Sequence, residues 1–160
     1  MEFIELFEMQ RQLDSFIEQT QKIDRDVFNE KGLALMIELA ELANETRCFK
    51  FWSTKGPSER DVILEEFVDS IHFLLSLGNE KGLLLESWPE INKREDLTNW
   101  FLRTQEVILK FIQHPTADTY REVWQCYGVL AYNLEFTLDD IIQAYISKNE
   151  KNYERQRSGY

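Results

Sequence analysis

Two stretches decide how this sequence folds: GLALMIELAELANETRCFKFW at residues 32–52 and VILEEFVDSIHFLLSLG at residues 62–78. In the first, Leu33, Ala34, Leu35, Met36, Ile37, Leu39, Ala40, Leu42 and Ala43 leave one narrow stripe for Glu38, Glu41 and Glu45. At 100° per residue those three acids fall within about 60° of one another on a helix. In the second, Phe67, Val68, Ile71, Leu74 and their apolar neighbours surround Glu65, Glu66, Asp69 and His72. A helix that is apolar almost all round is normally buried, and acids inside it need a partner. Like charges three residues apart also repel, so something has to offset the cost.

Outside these stretches apolar residues keep recurring at helical spacing, as with Phe3, Leu6, Phe7, Leu13, Phe16 and Ile17. Proline occurs only at 57, 89 and 115, and no long β-branched alternation is present. Ser58 before Asp61 and Thr137 before Asp140 read as helix N-caps, where a short oxygen satisfies free backbone N–H groups. The pattern predicts an all-α, multi-helix bundle of about six helices. They fall near 2–24, 30–51, 58–78, 92–113, 116–134 and 137–156, with the metal-binding potential concentrated between the two acidic helices. At 160 residues the chain fits a single domain, 1–160, with enough core to need no disulfide.

Charge narrows the function. Eighteen Lys and Arg face 29 Asp and Glu, a net charge of −11, which repels phosphate backbones and argues against polymeric nucleic acid as a partner. No apolar run is long enough to span a membrane, and Cys48 and Cys126 match no metal or secreted spacing. The expected setting is cytoplasmic, with no membrane partner.

The offset for the crowded acids is best supplied by a hard divalent cation. Glu38 and Glu41 offer two carboxylates from one helix, Glu66 and Asp69 two from the next, and oxygen ligands of this kind suit Mg²⁺. Either pair alone reads better as a solvated polar seam; two pairs on otherwise apolar helices favour the cage. A di-iron site wants two Glu-x-x-His motifs, and here only Asp69 and His72 come near one. His72 reads equally well as a satisfied core histidine. At the other end, Lys148, Asn152 and Arg155 share one face if the last helix continues. Cations there can simply complement the helix dipole, but beside a metal cage they form a phosphate clamp. The loop Phe49–Pro57 supplies aromatics for packing or stacking, and no glycine-rich phosphate loop occurs.

These residues resemble a family, the dimeric all-α dUTPases within the all-α nucleoside triphosphate pyrophosphatases (the MazG-like superfamily). The resemblance rests on Glu38/Glu41 and Glu66/Asp69, on Asn44 and Phe49-Lys50-Phe51-Trp52, and on Asp69 to Phe73. Gln10 to Asp14 and the ending Lys148 to Tyr160 are similar to its uracil-reading and C-terminal motifs. It implies Mg²⁺-dependent hydrolysis of dUTP to dUMP and pyrophosphate, clearing dUTP from the nucleotide pool, by a homodimer. Two or more Mg²⁺ ions, with Mn²⁺ as a substitute, would be held by Glu38, Glu41, Glu66 and Asp69. Glu38 and Glu41 would be catalytic, with Glu38 deprotonating the attacking water. Lys148, Asn152, Arg155 and Lys55 would bind the triphosphate. Gln10, Asp14, Trp52, His72 and Phe73 would receive the base and sugar. Two alternatives stay open: a related pyrophosphatase acting on dCTP or other triphosphates, and a non-enzymatic helical adaptor for an acidic partner.

Overall fold

The computed structural model describes residues 1–160, six helices and no strand. The helices are α1 (Glu5–Gln21), α2 (Phe28–Thr46), α3 (Arg60–Glu80), α4 (Leu97–Gln113), α5 (Ala117–Asn133) and α6 (Leu138–Arg157). Helix α3 is central: it packs against α1, α2 and α6, while α4 lies against α2 and α5. Its residues Phe67, Ile71, Leu74, Leu75 and Leu77 are fully buried. The expectation that both apolar helices are buried holds for α3 but only half for α2, whose Leu33 and Ile37 remain 62% and 51% exposed.

Several boundaries differ from the sequence expectation, three of them for a visible reason. Helix α2 ends at Thr46 rather than near 51, because Arg47 turns left-handed (φ 58°) and its N–H closes onto the carbonyls of Ala43 and Asn44. Its guanidinium then ties the following loop, donating to the Ser53 hydroxyl at 2.9 Å and to the Lys55 carbonyl at 3.1 Å. Ser58 does not cap α3. It donates to Glu45 on α2, and Glu59 takes the cap position with no side-chain bond. Helix α4 begins at Leu97, not 92, because Asp96 caps it by accepting from the Asn99 N–H. The residues before it are pinned to α5: Asn133 donates to the Lys93 carbonyl at 2.8 Å and accepts from the Glu95 N–H at 3.1 Å. The Thr137–Asp140 capping box forms as expected.

The irregular segment between α3 and α4 brings Trp88 into the core beside Trp124. Its neighbour Pro89 lies so close to Gly128 that a Cβ there would meet the Pro89 carbonyl oxygen at 2.4 Å. Only glycine allows that approach.

Candidate active site

The acidic stripe of α2 faces α3. Glu38, Glu66 and Asp69 each turn one oxygen inward, and these atoms all lie within 4.8 Å of one another. The Glu38 Oε2 and Glu66 Oε2 atoms are buried with no hydrogen-bond partner. Burial, then the charges of Asp69, Glu41 and Glu66, push the Glu38 carboxyl up to about 8. Burial, then Asp69 and Glu41, lift Glu66 to about 7. Asp69 is also raised by burial, with Lys148 pulling the other way. Three crowded carboxylates with two orphaned oxygens form an all-oxygen donor set that fits a hard divalent cation. Glu41 stands on the exposed flank outside this triad, where its charge still acts on Glu38.

Helix α6 supplies the cations. Lys148 is buried, with its Nζ 2.7 Å from Glu65 Oε1 and 3.1 Å from Asp69 Oδ1. Asn152 and Arg155 follow on the same face of α6 and line a cavity of about 340 Å³. Glu38, Asp69 and Lys148 border this cavity, and Gln10, Asp14, His72 and Phe73 line it as well.

Near α1 the cavity wall is a hydrogen-bond network. The Gln10 amide nitrogen donates to Asp14 Oδ1 at 2.9 Å, and the Ser76 hydroxyl donates to Asp14 Oδ2 at 2.6 Å. The Tyr145 hydroxyl donates to the Gln10 carbonyl oxygen at 2.8 Å, and His72 Nδ1 reaches the same oxygen at 2.7 Å. A carbonyl only accepts, so Nδ1 carries the proton and Nε2 keeps a free lone pair. That Nε2 is buried and unpartnered. Burial, with the nearby Lys148 charge, pushes the imidazole down to about 3, so the ring is neutral. It stacks on Tyr145, ring centroids 4.3 Å apart.

The structure thus gathers Gln10, Asp14, Glu38, Glu66, Asp69, His72, Phe73, Lys148, Asn152 and Arg155 around one region. Trp52 and Lys55 are not brought there. Both lie on the loop between α2 and α3, outside the cavity; Trp52 is 64% exposed and packs edge-on against Phe49 and Phe51. Sequence reasoning missed Tyr145, Ser76 and Glu65. Tyr145 precedes Lys148 by three residues and Ser76 follows His72 by four, so extending each functional stripe by one turn finds both.

A family model described as dUTPase matches residues 2–160, the whole length but one residue. The chain belongs to the all-α dUTPase family. No match was found among curated proteins. Membership of this dUTPase family carries dUTP diphosphatase activity, hydrolysis of a nucleoside triphosphate, and agrees with the six-helix architecture.

Proposed function

We propose that this dUTPase converts dUTP to dUMP and pyrophosphate in the α1–α3–α6 cavity with Mg²⁺ held by Glu38, Glu66 and Asp69, joined by Glu41. The observation that carries this reading is the carboxylate triad with its two orphaned oxygens, set beside a cavity lined by Lys148, Asn152 and Arg155. When bound, the ion neutralises phosphate charge and raises the acidity of a nearby water. The chain's own residues do the rest. Lys148 and Arg155 bind phosphate oxygens, Lys148 as a point charge and Arg155 through its fork, while Asn152 donates a hydrogen bond. Glu38, ionised once a cation offsets its neighbours' charges, takes the proton of the attacking water. Gln10 meets the uracil edge, Phe73 walls the nucleoside, and His72 sits near the sugar. Trp52 and Lys55 reach the nucleotide only if the 47–59 loop moves.

A homodimer accords with Leu33 and Ile37 on α2 and Leu102 and Leu109 on α4, exposed apolar side chains on two neighbouring helices. A cytoplasmic setting accords with two unpaired cysteines and with the absence of any helix long and apolar enough to cross a membrane.

The test is pyrophosphate release from dUTP, dCTP, dTTP and UTP, each with and without Mg²⁺. Turnover of dUTP alone, and only with the ion, is the expected result. Turnover of several triphosphates would keep the carboxylate cage and discard the uracil pocket, and no turnover at all would leave the adaptor reading.

A further inference from the structure

We infer that Tyr145 is a positioning residue: with His72 it occupies both acceptor sites of the Gln10 carbonyl, so that the cavity offers an incoming base a single amide N–H donor and rejects cytosine. The inference rests on the assignment of Gln10 to the base. An amide carbonyl has two lone pairs, and here the Tyr145 hydroxyl and His72 Nδ1–H take them at 2.8 and 2.7 Å. The amide nitrogen has two hydrogens. One goes to Asp14, and the second has no acceptor in the protein. Gln10 is only 4% exposed yet lines the cavity, so that second N–H is what it can show to a ligand.

The orientation is held from both sides. Asp14, already accepting from Ser76, would confront the amide oxygen if the group turned over, and an ionised carboxylate has no proton to offer it. On the oxygen side, His72 Nδ1 and the Tyr145 hydroxyl both reach the Gln10 carbonyl, at 2.7 and 2.8 Å. These contacts come from α1, α3 and α6, so the amide is fixed before any ligand arrives. A lone donor suits the 4-carbonyl of uracil or thymine. Facing the 4-amino group of cytosine it sets donor against donor, and two buried N–H groups go unpaired.

Tyr145→Phe removes one oxygen and keeps the ring over His72. The measurement is kcat/KM for dUTP and for dCTP in the natural protein, in Tyr145→Phe, in Gln10→Ala and in the double variant. The expected result is an about tenfold fall in the dUTP:dCTP ratio for Tyr145→Phe, through KM rather than kcat. A larger fall is expected for Gln10→Ala, and no further change when Tyr145→Phe is added to it. A purely structural role for Tyr145 lowers both substrates equally and leaves the ratio alone, which overturns the inference while the Gln10 assignment stands. An unchanged ratio in Gln10→Ala overturns the assignment and the inference together. If Tyr145→Phe does not fold, His72→Phe removes the other donor to the same carbonyl, and an unchanged ratio there is equally fatal.

Discussion

Helix α5 packs against the segments holding Phe3 and Trp88, and helix α2 packs against α3, but these two pairings finish the interior differently. Around α5, Trp124 is enclosed by Phe3 at 5.1 Å, Trp88 at 6.0 Å and Tyr120 at 6.2 Å, each close to edge-on. That geometry suits the ring quadrupoles, although the Trp124 Nε1–H at its centre is buried without a partner. Between α2 and α3 the interior ends in carboxylates whose proton affinities are raised by burial and by one another. Burial stabilises the first pair; in the second it creates a demand for positive charge that Lys148 meets only in part. Helix α3 serves both, with Phe67 turned to the aromatic cluster and Asp69 to the acidic one.

Three experiments break or sharpen this contrast. Trp124→Ala should cost about 3–5 kcal/mol in urea unfolding without divalent ions, since it empties the site of a large, fully buried side chain. Glu66→Gln under the same conditions should leave stability unchanged or raise it; a comparable loss there would erase the distinction between the two regions. Next, Glu38→Gln and Glu41→Gln should each lower dUTP turnover at least ~100-fold while circular dichroism stays helical. Full activity in either variant removes that residue from the site.

The smallest effect concerns pH. Glu38 is raised from its ordinary 4.5 to about 8, so the folded chain binds more protons than the unfolded chain between those values. Its contribution is therefore complete below 4.5 and is lost as the pH rises through about 8. The ion-free protein should melt a few degrees lower at the alkaline end of that window. Glu38→Gln should flatten the slope, and an equally steep slope in that variant would assign the effect elsewhere.

Much of this was legible in the chain itself, for a local reason. Helical periodicity and the Thr137–Asp140 box depend on residues a few positions apart, and so do the two acid stripes, whose meeting requires only one short connection. The end of α2 was not legible, because Arg47 adopts a left-handed cap conformation usually marked by glycine. Trp52 and Lys55 lie outside the cavity, and loop residues carry no periodicity to say which way they face. The Gln10–Tyr145 bond joins residues 135 positions apart, and no spacing rule spans that distance. Legibility faded with sequence separation.

The same separation sets an order of events during synthesis, in which residues emerge from the amino end first. Glu38, Glu66 and Asp69 are all made before α6, and so before Lys148, the cation that pairs with Asp69 in the finished protein. Gln10 likewise waits for Tyr145. Helix α6, made last, brings Tyr145, Lys148, Asn152 and Arg155 to a cavity whose other wall comes from the earlier helices.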